Sequence, residues 1–256
     1  MKFIILGCGS SMGVPRTDGN FGNCDPKNKK NYRTRCSALL KTANKNILID
    51  TSPDLRQQLI NNKINNIDYV LYSHMHADQT HGINDLRVFF IKNKKTIPAY
   101  ADNATTKYLK KAFNYCFISS SKQYPAIIQL NKIKKIIRIR DKQKTLKIKS
   151  FPVPHGMVKS ICYIFDQKLA YISDVSNIEK KKFRHFKNLK FLVIDCLWYR
   201  YHPSHLNLEK VLELIKIFKP KKTILTNLHS DLDYKVLSNK LPKNVIPAHD
   251  GLTLDL

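Results

Sequence analysis

The stretch Ser73-His74-Met75-His76-Ala77-Asp78-Gln79-Thr80-His81-Gly82 sets three histidines and one aspartate beside the apolar run Tyr69-Val70-Leu71-Tyr72. In an extended chain, alternate side chains share one side. His74, His76 and Asp78 are therefore expected to converge from the end of one strand onto a single point. Two imidazoles and a carboxylate form a donor set that suits borderline divalent ions such as zinc. A catalytic ion keeps one position open for water and lowers the pKa of that water from about 15.7 to about 7. The chemistry to expect is hydrolysis by metal-activated water.

Further polar residues stand near the ends of later apolar runs or before a helix. They are His155 in Val153-Pro154-His155-Gly156, Asp174 in Tyr171-Ile172-Ser173-Asp174, His205 in Pro203-Ser204-His205, and His229 in Leu225-Thr226-Asn227-Leu228-His229. One histidine after a strand is an ordinary surface residue. A series of them with an aspartate similarly placed is expected to project into one groove from different strands. A carboxylate such as Asp174 can bridge two ions, and two ions about 3.5–4 Å apart clamp the attacking and leaving oxygens of an in-line displacement.

The elements that must position these groups are legible from pattern. Strands are expected at Lys2-Leu6, Ser37-Lys41, Asn46-Asp50, Tyr69-Tyr72, Leu146-Pro152, Ile161-Phe165, Leu169-Ser173, Phe191-Asp195 and Thr223-Thr226, from their Val, Ile, Tyr and Phe content. Helices are expected at Pro53-Ile60, with proline in the first turn, and at Thr105-Phe117, Ile178-Phe186, Leu208-Phe218 and Tyr234-Asn239. Leu208, Val211, Leu212, Ile215 and Phe218 recur at three- and four-residue steps, an amphipathic stripe. The mixture predicts one α/β domain over 1–256, with helices outside packed sheets and the ligand site at strand ends. The basic, turn-rich segment Pro26-Thr34 is expected as a loop near the mouth of the site.

Composition narrows the function classes. The 256 residues are 43% apolar, enough for a substantial core. No apolar stretch approaches the roughly 20 residues that cross a bilayer, and Phe3-Ile4-Ile5-Leu6 is too short for a secretory segment. No membrane association and a cytoplasmic location are expected. Six cysteines lack any C-x-x-C pair and are expected to be free thiols, Cys162 and Cys196 in the core. Cys24 and Cys36 flank a polar loop, but two thiolates do not complete a tetrahedral site. The formal charge of +26 is carried by lysines spread among many segments, alongside abundant Asn and Ile. That is the imprint of AT-rich coding rather than of one nucleic-acid-binding arm, although the field steers anions inward. A small anionic phosphodiester is the expected partner; nucleic acid and a homodimer are kept as alternatives.

With these residues in place, the chain resembles the metallo-β-lactamase superfamily. Its H-x-H-x-D-H motif is matched by His74-Met75-His76-Ala77-Asp78, with Gln79 in place of the last histidine. The opening Leu6-Gly7-Cys8-Gly9-Ser10-Ser11-Met12-Gly13-Val14-Pro15, Arg35-Cys36-Ser37, Ile49-Asp50, Asp195-Cys196 and Ala248-His249-Asp250-Gly251 resemble the phosphoribosyl cyclic phosphodiesterase branch.

The resemblance implies a four-layer αββα sandwich. It implies a first divalent ion on His74, His76 and His155, with Asp174 bridging, and a second on Asp78 and His229. Zinc is the first expectation and manganese the second, with one or two ions. Asp78 and His205 would be catalytic, His205 before a helix as the group serving the departing ribose oxygen. Gln79 would be a hydrogen bonder near the metal, His81 a residue orienting its loop, and Asp50 the buried aspartate that fixes the histidine loop. Arg35 and the lysines of Pro26-Thr34 would attract phosphate. Asn227 falls where the branch places its final metal histidine, and its cysteine-rich zinc loop is reduced here to Cys24. The expected function is a metal-dependent phosphodiesterase. The alternatives are a nuclease similar to the transfer-RNA 3′-processing enzymes, a carboxylic ester or thioester hydrolase, and a binding protein with a decayed site.

Overall fold

The apolar runs form strands that are buried on both faces, so successive side chains serve two different cores. The computed structural model describes residues 1–142 and 144–256. Fourteen strands are formed among them. These are β1 (Lys2–Gly7), β2 (Ser37–Lys41), β3 (Asn46–Ile49), β4 (Tyr69–Leu71), β5 (Ile97–Ala101), β6 (Ile128–Lys132), β7 (Ile136–Asp141), β8 (Lys144–His155), β9 (Val158–Phe165), β10 (Leu169–Ile172), β11 (Phe191–Asp195), β12 (Lys222–Thr226), β13 (Val245–Pro247) and β14 (Thr253–Asp255). They build two seven-stranded sheets, in the orders β14-β1-β2-β3-β4-β5-β6 and β13-β12-β11-β10-β9-β8-β7. The α-helices are α1 (Leu55–Asn61), α2 (Ala77–Thr80), α3 (Arg87–Asn93), α4 (Asn103–Ala112), α5 (Leu208–Phe218) and α6 (Tyr234–Lys240).

Alternation along β1 shows how the layers are made. Phe3 and Ile5 enter a core between the sheets, with Tyr163, Phe165, Tyr171, Val193 and Ile224 from the second sheet. Ile4 and Leu6 point the other way, to a core with Leu55 and Leu59 of α1, Phe89 of α3 and Leu109 of α4. A third core packs Leu192, Ile194 and Leu225 against Val211, Leu214, Ile215 and Phe218 of α5 and Leu237 of α6. Three cores between four layers make the expected αββα sandwich.

The elements differ from the pattern-based expectation at informative places. The helix expected from Pro53 starts at Leu55. α4 starts at Asn103, because the Asp102 side chain accepts from Thr105 N at 2.8 Å and caps it. Ile178-Phe186 is not an α-helix but a 3-10 turn over Lys180–His185. Phe183 and Phe186, three residues apart, both pack on Phe218, at 5.1 and 5.0 Å between ring centres. A 3-10 turn superimposes such a pair on one side.

The histidine motif also departs from simple strand alternation. β4 ends at Leu71. Tyr72 N still donates to Tyr100 O in the first sheet, while Ser73 O accepts from Ile161 N in the second. The chain thus crosses between the sheets at this point. His76 then precedes α2, and Asp78 lies in that helix's first turn rather than on an extended strand.

Candidate metal centre

The cluster lies where parallel strands end. β3, β4 and β5 run parallel in one sheet, and β10, β11, β12 and β13 in the other. Ligands in α/β proteins gather beyond such carboxyl ends. His74 and His76 follow β4, Asp174 follows β10, Asp195 closes β11, and Asn227 follows β12. His155 closes β8, where Gly156 turns the hairpin at φ +55°. A Cβ on Gly156 would stand 2.4 Å from Ser204 Oγ, so only glycine lets the hairpin approach that loop.

Three imidazole nitrogens converge. His74 Nε2 and His76 Nδ1 are 3.0 Å apart, and His155 Nε2 is 3.3 Å from the same His76 atom. Zinc–nitrogen bonds of about 2.0–2.1 Å in a tetrahedron place neighbouring ligand nitrogens about 3.3 Å apart. The trio therefore has the spacing of a facial ligand set. The opposite ring nitrogens are anchored. His155 Nδ1 donates to Ser204 O at 2.8 Å, and His74 Nδ1 is 3.0 Å from Ser73 Oγ. Ser73 N in turn donates to Asp50 Oδ1 at 2.6 Å. Such outer contacts fix the tautomer and aim the ring. Burial pushes the His74 imidazole down to about 3, leaving it neutral with its lone pair available.

Asp174 borders the trio. His155, Asp174 and His205 form a second group whose donor atoms lie within 4.8 Å of one another. Burial acts to raise the Asp174 pKa, but His74, His155 and His205 outweigh it and hold the carboxyl below its usual range. His205 is a poor ligand despite its position. Its Nδ1 is 2.7 Å from Asp195 Oδ2. Burial pushes its pKa down, but Asp195, by charge and hydrogen bond, and the more distant Asp174 and Asp78 bring it to about 9. Burial lifts Asp195 to about 6 against the pull of His205. At neutral pH the pair is therefore a carboxylate and an imidazolium, and an imidazolium offers no lone pair to a metal.

These groups open into a cavity of about 330 Å³ that His76, Asp78, His155, Asp174, His205, Asn227 and His229 help to line. Asp78 is raised to about 6, first by burial and then by the Asp174 charge. Gln79 Nε2 donates to Asp78 Oδ2 at 3.0 Å and to Asp174 Oδ2 at 3.4 Å.

Several sequence-based assignments take a different place. His229 reaches the cavity but joins neither group of converging ligand atoms among the described residues. Its Nδ1 accepts from Asp231 N, and its ring lies 4.6 Å from that of Trp198. Arg35 does not face the cavity. It makes a bidentate pair with Asp54, at 2.8 and 2.6 Å. Among the described residues lining the cavity there is no lysine or arginine, so the basic loop contributes a long-range field only. His81 stands outside the cluster, 2.8 Å from Tyr108 Oη. Cys24 and Cys36 are buried and free, the latter 3.6 Å from Thr226 Oγ1.

Two features were not assigned from the sequence. Asp195 was singled out by resemblance but given no role; an aspartate closing an apolar strand was its only local signal. Trp198 lines the cavity with its indole N–H donated to Asp231, and Arg200 lies 4.0 Å over its ring.

Comparison with known proteins agrees with this architecture. A diphosphatase described as from the PhnP family is 29% identical, with TM-score 0.89, over 100% of this chain and 97% of that one. Zinc-bound PqqB from Methylobacterium extorquens shares the fold at 17% identity, with TM-score 0.81, over 100% of both chains. An octanoyltransferase of Porphyromonas gingivalis (strain ATCC BAA-308 / W83) is 29% identical over 98% of this chain. The chain spans about half the length of that relative, 51%. The model of the β-lactamase superfamily domain matches residues 45–227, from β3 to the residue that follows β12. By that match, and by the strand-end cluster it encloses, the chain belongs to the β-lactamase superfamily, with the metallo-β-lactamase fold.

Proposed function

We propose that the protein is a metal-dependent phosphodiesterase acting on a small anionic phosphodiester, ribose cyclic phosphates among them. One observation carries the reading: His76 and His155 of the histidine trio line the same cavity as His205 of the Asp195–His205 ion pair. The first supplies a place for a Lewis acid and the second a proton donor, the two requirements for breaking a P–O bond with a poor leaving group.

His74, His76 and His155 would hold a divalent ion, zinc first and manganese second, with Asp174 beside it. Such an ion lowers the pKa of water into the neutral range and withdraws charge from a phosphoryl oxygen. Gln79 occupies Asp78 Oδ2, which leaves Asp78 Oδ1 to receive the proton of the attacking water. A carboxyl near 6 suits that task at neutral pH. With Nδ1 engaged by Asp195, His205 keeps its Nε2 proton for the departing ribose oxygen. The Trp198 indole, held by Asp231 and packed against Arg200 and the His229 ring, forms part of the cavity wall that a substrate would meet. The net charge of +26 raises the encounter rate of anions in the cytoplasm, the proposed location.

The test is a panel of aryl phosphodiesters and ribose cyclic phosphates with zinc, manganese and iron, run beside His76→Ala. Turnover is expected in the parent and not in the variant. Stoichiometric metal with every phosphodiester left intact overturns the reading. The charge favours one competitor, a nuclease, whose RNA binding would drop steeply with salt. Weak, salt-insensitive retention of RNA is the outcome expected here.

A further inference from the structure

The family pattern carries a second ion beside the first, and the residues that would hold it here do not fit one. Gln79 and Asn227 stand at the two positions where the resemblance places imidazoles, and both are buried, at 0% and 2% exposure. Each turns an amide N–H toward acid groups. Gln79 Nε2 donates to Asp78 Oδ2 at 3.0 Å and to Asp174 Oδ2 at 3.4 Å. Asn227 Nδ2 lies 3.3 Å from Asp174 Oδ1, 3.3 Å from Asp195 Oδ1 and 3.0 Å from Ser173 O.

The orientation of the asparagine amide follows from its partners. Three of its four neighbours are acceptors and only His205 Nδ1, at 3.1 Å, is not, so the opposite flip would set an amide oxygen against a carbonyl and two carboxylates in exchange for one contact with an imidazole N–H. For Gln79 the opposite flip would free an N–H but face its oxygen onto Asp78 and Asp174. Its Oε1 is buried without a partner, and that is a smaller cost than two buried oxygen–carboxylate contacts. Both oxygens of Asp174 thus face an N–H donor, where bridging would require one of them to face a second cation.

We infer that the Gln79 and Asn227 amides replace the second ion, so that the centre takes a single divalent ion on His74, His76 and His155. The neutral amide dipoles do part of what a cation would do. They satisfy Asp78 and Asp174, two carboxylates otherwise left facing each other in a buried site. His202 and His229, the remaining imidazoles that line the cavity, join neither group of converging ligand atoms among the described residues and do not restore a ligand set. This inference rests on the metal-centre reading above and specifies its stoichiometry.

The test needs no turnover. Metal-stripped protein is titrated with cobalt, following the visible absorption of the coordinated ion, and zinc content after dialysis is measured by mass spectrometry. One equivalent per chain is expected in both. Two tightly held equivalents overturn the inference while leaving the metal centre standing. None at all overturns the centre itself, and this inference with it. The double variant Gln79→His plus Asn227→His is expected to take up two equivalents. A folded double variant that stays at one shows that the amides are not what excludes the second ion, and overturns the assignment.

Discussion

Asp195 Oδ2 lies 2.7 Å from His205 Nδ1, a fully buried carboxylate at the end of β11 bound to a ring from the loop before α5. The contact sets both the orientation and the protonation of His205. It joins two stretches of chain that share no local pattern.

A pH–rate profile reads this contact directly. With His205 as the proposed proton donor, activity is expected to be retained up to its pKa of about 9 and to fall above it. Asp195→Asn removes the charge that raises the pKa. The alkaline limb is then expected to move down toward the ordinary histidine value of about 6.5. His205→Ala is expected to lose about 10²–10⁴-fold in kcat at neutral pH. An unchanged alkaline limb in Asp195→Asn would assign it to another group.

Asp50 is expected to matter for metal affinity without touching the metal. It accepts from Ser73 N at 2.6 Å, and Ser73 Oγ meets His74 Nδ1 at 3.0 Å. Asp50→Ala removes the anchor of that loop. Outer contacts of this kind are worth about 10–100-fold in metal affinity, measurable by competition with a chromophoric chelator. Affinity equal to the parent's would show that packing alone holds the loop.

Asp250 makes stability depend on pH. Burial raises its pKa to about 6, against the opposing bonds from Thr34 and Cys8. A raised carboxyl contributes its stability fully below the unfolded value of about 3.9, and the contribution is lost as pH rises through about 6. Over that window the parent should lose about 3 kcal/mol more than Asp250→Asn, by urea denaturation at several pH values. Parallel curves for the two proteins would remove Asp250 from the account.

Arg33 is expected to be structural. Its side chain is buried at 1% exposure, and its guanidinium donates to Leu232 O at 2.7 Å, Asn31 Oδ1 at 3.0 Å and His229 O at 3.3 Å. Asn31 in turn donates to Asp233 Oδ2 at 2.6 Å. This cluster ties the 21–36 loop to the segment after β12. Arg33→Met leaves those oxygens unsatisfied and should cost about 3 kcal/mol in thermal or urea unfolding. A loss within about 0.5 kcal/mol would mean that water replaces the guanidinium.

The four-layer sandwich was legible only through the family resemblance, whereas an α/β domain with helices outside packed sheets, α5, and most strands of the second sheet followed from the sequence pattern itself. Those features are carried by local composition and periodicity, and each strand buried on both faces reads as a continuous apolar run. The residues able to hold an ion were also visible, because their donor types are rare and their order along the chain resembles a known motif. Spacing alone misjudged how His74, His76 and Asp78 meet. They do not alternate along one strand, because the backbone crosses from one sheet to the other at Tyr72 and Ser73.

Only the tertiary structure decided which distant groups touch. It placed Arg35 on Asp54, gave His205 its Asp195, left His229 beside Trp198, and turned two amides onto Asp174. The physical reason is common to all four. Side-chain pairing across a sandwich depends on strand register, loop path and amide orientation, and these are settled by packing between residues far apart in the chain.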